Sequence, residues 1–282
     1  MFHIEDAADP RIADYRNIPD PALLERHHAF AAEGRLVVER LLRSTRFVTR
    51  SLLLSPPAFA ALGDLVEDCD VPVFVASQPS MNTITGFNIH RGCIALGDRG
   101  VSLDWRALAA TGRRLVILER IANPDNVGAI FRSAAAFDVD AVLLGPDCAD
   151  PLYRKAIRTS MAAALTIPFA RIDRWPAALS LLSEQGYHVL ALSPGMDAPP
   201  LRHVLTSRVH AANGAPAEMA GDGRPAGYRV ALVAGHEGEG LTRHAIDAAD
   251  TMARLPMAPG HDSLNVATAV GIALYELFNH HE

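Results

Sequence analysis

Leu255-Pro256-Met257-Ala258-Pro259-Gly260-His261-Asp262-Ser263-Leu264-Asn265 decides how the chain is read. It follows a short apolar run and precedes Val266, Val270, Ala273, Leu274 and Leu277, which recur at helical spacing. A helix is therefore expected over Ser263–Asn279, with Asp262 or Ser263 as its N-cap. Polar side chains and free backbone N–H groups gather at such a helix start, where a ligand is easily held. An ordinary capped helix accounts for the stretch equally well.

Upstream, strand-like runs alternate with helical ones from Gly112 onward. Strands are expected at Leu115–Leu118, Ala141–Leu144, Ile167–Ala170, Tyr187–Leu192 and Arg229–Ala234. Helices are expected at Gly128–Phe137, Pro151–Ala164, Trp175–Gln185 and Thr242–Ala248. Short apolar strands separated by helices imply a parallel α/β sheet. A stretch rich in Gly, Pro and Ala, about 206–228, breaks the alternation and reads as a surface insertion.

The first hundred residues are less regular. Pro21–Leu42 reads as one helix weakly interrupted at Gly34. Phe47–Leu54 and Val71–Val75 read as strands, Ala58–Val66 as a short helix, and Asp98 to Gly112 as a linker. Arg35, Arg40, Arg43, Arg46 and Arg50 face only Glu39 among acids, and Arg154, Lys155 and Arg158 form a second basic cluster. Either cluster suits phosphate contacts or a solvated helix face.

Composition bounds these readings. The chain has 282 residues, 49% hydrophobic and 21% charged, as in soluble globular proteins of one or two domains. A net charge of −6 argues against a generically basic nucleic-acid binder. No run approaches the roughly 18 apolar residues of a membrane span. The opening Met1-Phe2-His3-Ile4-Glu5-Asp6 lacks a basic start and an apolar core, so no secretory leader is expected. Cys69, Cys93 and Cys148 are odd in number and lack metal-type spacing, which suggests free thiols in a reducing compartment, the cytoplasm, and no metal.

Two more stretches join the first. One is Asn123-Pro124-Asp125-Asn126-Val127-Gly128-Ala129-Ile130-Phe131-Arg132-Ser133-Ala134; the other is Val233-Ala234-Gly235-His236-Glu237-Gly238-Glu239-Gly240-Leu241. In this order the three resemble motifs 1, 2 and 3 of the SpoU (TrmH-like) RNA 2′-O-ribose methyltransferases, over about 115–280. His90-Arg91-Gly92 and the apolar residues after it resemble the end of that family's N-terminal RNA-binding domain. The resemblance implies a parallel-sheet catalytic domain with a trefoil knot at 111–282. A smaller α/β, ribosomal-protein-like, RNA-binding domain would precede it at 1–110. It further implies methyl transfer from S-adenosylmethionine to a ribose 2′-hydroxyl of RNA, ribosomal RNA first and transfer RNA as the alternative, by a cytoplasmic homodimer. A non-catalytic RNA-binding protein of the same fold stays open. A nicotinamide-dependent oxidoreductase is disfavoured, because the glycines of 235–240 do not form the Gly-x-Gly-x-x-Gly turn after a first strand.

Residue by residue, Asn126, Arg132, Glu237, Ser263 and Asn265 match the catalytic motif positions. Gly235, Leu255 and Leu264 match cofactor contacts, with Met257 and Asn265 as additions. Arg43, Arg46 and Arg91 are the candidates for RNA contact. Arg132 lies among Ile130, Phe131, Ala134 and Ala135, so it is expected to have an acidic or phosphate partner, with Glu237 a candidate anchor. In that family motif 1 of one subunit is expected near motifs 2 and 3 of the other. Two positions depart from the pattern: His236, where Asn, Ser or Ala is common, and Ala162, where Gly is common and packing is the expected reason.

Overall fold

A computed structural model describes residues 1–16, 19–195, 197–205, 228–261 and 263–278. The insertion expected at 206–228 thus lies outside the described residues except for Tyr228, as do the candidate cap Asp262 and the end of the last helix at Asn279. The chain packs as two compact units, Met1–Val101 with Asp150–Thr166, and Ser102–Ala149 with Ile167–Glu282.

The first unit is built on a mixed sheet of five strands: β1 (Phe2–His3), β2 (Ala29–Glu33), β3 (Thr49–Leu54), β4 (Val73–Val75) and β5 (Cys93–Asp98). Their order is β1-β4-β3-β5-β2. β4 runs parallel to both neighbours, and β5 runs antiparallel to both of its own. The single helix expected over Pro21–Leu42 is instead helix Asp20–Arg26, then β2, then helix Arg35–Leu42. Ala29-Phe30-Ala31-Ala32-Glu33 is buried at every position, and periodicity alone does not separate a strand covered on both faces from a helix. Gly34, at φ +100°, makes the break that an L-residue would resist. Helix Gln78–Thr85, capped by Ser77, has no counterpart among the expected elements.

Helix Arg154–Thr159 packs in this unit and is shorter than the expected Pro151–Ala164. Met161 and Ala162 end it at φ +53° and +66°. Packing is therefore not the reason glycine suits position 162: the backbone there is left-handed, which glycine adopts freely. The basic cluster is partly spent on structure. The Arg154 guanidinium stacks on Phe87, 3.8 Å from the ring centroid. It also pairs with the buried Glu33, which Arg158 approaches to 3.7 Å.

The second unit holds a parallel sheet of six strands: β6 (Arg114–Leu118), β7 (Ala141–Leu144), β8 (Phe169–Arg171), β9 (Tyr187–Leu192), β10 (Arg229–Ala234) and β11 (Thr251–Ala253). Their order is β11-β9-β10-β6-β7-β8, and every pair is parallel. Leu115, Val116, Ile117 and Leu118 have no exposure, as expected for a strand covered by helices on both faces. The expected linker contains helix Trp105–Thr111, whose Trp105 is buried in this unit's core and donates its ring N–H to Asp173 at 2.8 Å. The three cysteines are free. Burial pushes the Cys93 thiol up to about 12 and raises that of Cys148, so neither is a ready nucleophile at neutral pH. Among the described residues no helix is long and apolar enough to cross a membrane, and no cluster of His, Cys, Asp and Glu could hold a metal.

Candidate active site

After β6 the chain lays β7 and β8 on one side; β10, β9 and β11 lie on the other. The reversal falls between β6 and β10, and in parallel α/β sheets ligands bind beyond the carboxyl ends of the strands at such a point. Three segments leave those ends: residues 119–123 from β6, 235–241 from β10, and 254–261 from β11, with 263–265 leading into the last helix.

Asn123 accepts the Asp125 N–H at 2.9 Å and Pro124 occupies the first turn, so helix Pro124–Ala136 starts four residues earlier than its apolar spacing suggests. Asn126 is buried in that first turn. Its Oδ1 accepts a hydrogen bond from Nδ2 of Asn265 at 3.0 Å, which joins motif 1 to motif 3 within one chain. Asn265 also caps the last helix, Val266–Phe278: its Oδ1 accepts from Ala267 N at 3.0 Å and Thr268 N at 3.3 Å. The cap is thus Asn265 rather than Ser263, which lies exposed before the helix. The two helices run close enough that a Cβ on Gly271 would sit 3.3 Å from Ser133 Oγ, and Phe137 meets Tyr275 edge-on at 6.2 Å.

Arg132 is exposed, not held against a core, and makes no hydrogen bond or ion pair among the described residues. Glu237 is also exposed and does not anchor it. A different acid holds the motif 2 loop: Glu239 pairs with Arg120 at 2.7 Å. His236 turns inward on its own loop, where Nδ1 accepts from Gly238 N at 3.1 Å and Glu239 N at 3.3 Å. The ring does what an Asn or Ser oxygen does in a tight turn. Gly235 is buried at the loop's mouth, where a Cβ would lie 2.5 Å from Leu241 N and 2.6 Å from the Gly240 carbonyl. Gly235→Ala should therefore displace the loop, lower stability by about 1–3 kcal/mol, and weaken cofactor binding. Thermal unfolding and S-adenosylhomocysteine calorimetry check it, and unchanged values in both would refute the assignment.

Leu255 and Met257 are half-buried and Leu264 is 40% exposed, leaving apolar side chains beside these loops. Glycine-rich backbone with uncovered aliphatic groups fits a nucleoside-bearing cofactor, whose base needs an apolar slot and backbone hydrogen bonds. The residue that sequence reasoning missed is Glu119, fully buried where β6 opens into motif 1. A lone acid ending an apolar strand was the available signal.

Of the RNA candidates, Arg43 is exposed and pairs with Glu39 at 3.1 Å. Arg46 is half-buried with its guanidinium 4.7 Å from the Phe47 ring, and burial lowers its pKa to about 10. Arg91 is exposed at φ +55°. Arg50 pairs with Asp98 at 2.5 Å and Asp14 at 3.6 Å, a structural rather than a free cation.

The profile of the SpoU rRNA methylase family matches residues 113–275, more than half of the chain. This chain belongs to the SpoU rRNA methylase family. An uncharacterised tRNA/rRNA methyltransferase of Mycobacterium tuberculosis is 38% identical over 275 residues, covering 96% of this chain and 89% of that protein. A 23S rRNA (guanosine(2553)-2′-O)-methyltransferase of Bacillus subtilis is 24% identical over 277 residues, 98% and 99% of the two chains. The fold matches the crystal structure of an AdoMet-bound rRNA methyltransferase from Sinorhizobium meliloti with a TM-score of 0.76 at 21% identity, covering 99% and 97%. As a SpoU methylase the chain is an RNA methyltransferase, and its three motifs follow the carboxyl ends of β6, β10 and β11 in the parallel sheet.

Proposed function

We propose that this SpoU methylase methylates a ribose 2′-hydroxyl in ribosomal RNA. The observation that carries the reading is the Asn126–Asn265 bond: it fixes to motif 3 the helix that also carries Arg132, an exposed guanidinium that no residue of its own chain neutralises among those described. Gly235, Leu255, Met257, Leu264 and the Asn265 turn would hold S-adenosylmethionine, which would supply a methyl group already activated on a sulfonium. No metal is then needed. A guanidinium holds its protons too tightly to serve as the base. The Arg132 fork grips the phosphate next to the target ribose and stabilises the alkoxide as it forms. The proton leaves to water, which the exposed setting admits. Ser263, exposed before the last helix, and Glu237, exposed on the motif 2 loop, supply polar contacts to the nucleotide.

The active form is a two-fold homodimer. Leu264, Ile272 and Tyr275 are exposed by 40%, 39% and 51%, and the last two share one face of the last helix with Thr268. A second copy covers this face in an isologous contact. The family resemblance supplies the rest of the reading: a trefoil knot in the C-terminal segment, residues 1–110 as the RNA-binding domain, and a cytoplasmic setting. The deciding experiment is ribose-methylation mapping of total RNA from cells with and without the gene. A lost 23S or 16S site supports ribosomal RNA, a lost transfer-RNA site shifts the substrate, and an unchanged map refutes the activity.

Arg43 and Arg91, exposed on the first unit, are assigned to RNA backbone. Arg43→Ala with Arg91→Ala should weaken RNA binding and reduce the slope of log K against log salt by about 0.7–0.9 for each phosphate that is no longer neutralised. An unchanged slope would make both residues solvated surface.

A further inference from the structure

Glu119 has no exposure, and no cation pairs with it among the described residues. Its carboxylate instead accepts three hydrogen bonds. Oε2 takes the Thr242 N–H at 2.8 Å, and Oε1 takes the Thr242 hydroxyl at 2.7 Å and the Trp175 ring N–H at 2.6 Å. Its own N–H donates to the Ala234 carbonyl at 2.9 Å. Ala234 immediately precedes the Gly235–Leu241 loop and Thr242 immediately follows it. Glu119 therefore grips both ends of motif 2 from the strand alongside. Arg120, the next residue, reaches Glu239 within the loop. Thr242 passes the constraint on, because its Oγ1 also accepts the Ala245 N–H at 3.3 Å and caps helix Arg243–Asp247.

A strand end that only needed packing would be met by an aliphatic residue. A buried carboxylate is tolerated only where several donors converge on it. Here two of the three donors belong to the residue that closes the loop. We propose that Glu119 is the positioning residue of the cofactor loop: it fixes the span between Ala234 and Thr242, and so the backbone that faces S-adenosylmethionine, without touching the cofactor itself. This rests on the reading of Gly235–Leu241 as a cofactor-binding loop.

The test is calorimetric titration of the full chain with S-adenosylhomocysteine, with thermal unfolding in parallel. Glu119→Gln puts an amide N–H₂ where an acceptor is required. Thr242→Val removes the hydroxyl and Thr242→Ser keeps it. Tyr187→Phe is the control for general destabilisation, since that hydroxyl bonds the Ala109 and Gly112 carbonyls at the amino end of the sheet. Glu119→Gln and Thr242→Val should each raise Kd about tenfold, the loss expected for a hydrogen bond to a charged group. Thr242→Ser should stay within about twofold on the same grounds. Tyr187→Phe should lower the unfolding temperature and leave Kd unchanged. If Glu119→Gln does not fold, the Thr242 pair decides alone. Folded Thr242→Val with wild-type Kd overturns the proposal, as does Tyr187→Phe raising Kd as far as Thr242→Val. A wild-type chain that binds no S-adenosylhomocysteine overturns the loop assignment as well, which separates the two failures.

Discussion

Arg132→Ala removes methyl transfer to RNA while S-adenosylhomocysteine affinity stays within a few-fold. The expected loss in kcat is about 10²–10³, the effect of deleting one preorganised donor to a developing oxyanion. The two readouts separate because Arg132 bonds to no residue of motifs 2 or 3 in its own chain among those described. Arg132→Lys should recover only part of the rate, since an ammonium keeps the charge but not the two-pronged grip on phosphate. Transfer of labelled methyl to ribosomal RNA measures both variants. An Arg132→Ala rate near wild type would remove this residue from the reaction.

The second large effect is a gain. Arg132→Ala and Gly235→Ala proteins, each impaired as homodimers and assayed at cofactor too dilute to saturate the weakened Gly235→Ala site, should together recover up to about half of normal activity once mixed dimers form. The Asn126–Asn265 bond joins motif 1 to motif 3 within one chain. Arg132 is different. It emerges beside Ser133, which faces Gly271 of the last helix, near the uncovered Ile272 and Tyr275. In the proposed dimer it would serve the loop of the second copy. One site of a mixed dimer would then carry both lesions and the other neither. No recovery in verified mixed dimers would confine Arg132 to its own subunit, and a monomer in sedimentation would remove the dimer.

The sheet of the second unit was legible where burial is complete. Ala141–Leu144, Tyr187–Leu192 and Arg229–Ala234 match their expected bounds residue for residue, because fully covered strands are nearly uninterrupted apolar runs. The same uniformity hid β2, whose Ala29-Phe30-Ala31-Ala32-Glu33 carries no alternation and adjoins helical residues on both sides. At the candidate site, the motif residues were legible as types but not as partners. Asn265 caps a helix and binds Asn126, a pairing between residues 139 positions apart that no local pattern encodes. Glu119 gave only an ambiguous signal, because an acid at a strand end usually marks an exit to solvent, and only the folded loop reveals its three donors.

That separation of 139 positions also sets the order of events during biosynthesis. Residue 126 leaves the ribosome long before residue 265, and contacts so distant in sequence form late and slowly. The nascent chain can complete its parallel strands and still lack the Asn126–Asn265 contact of the proposed site until the C-terminal helix docks. Acquisition of cofactor affinity is then a reporter for the last folding step, and chains truncated before Asn265 should be folded in part yet blind to S-adenosylhomocysteine.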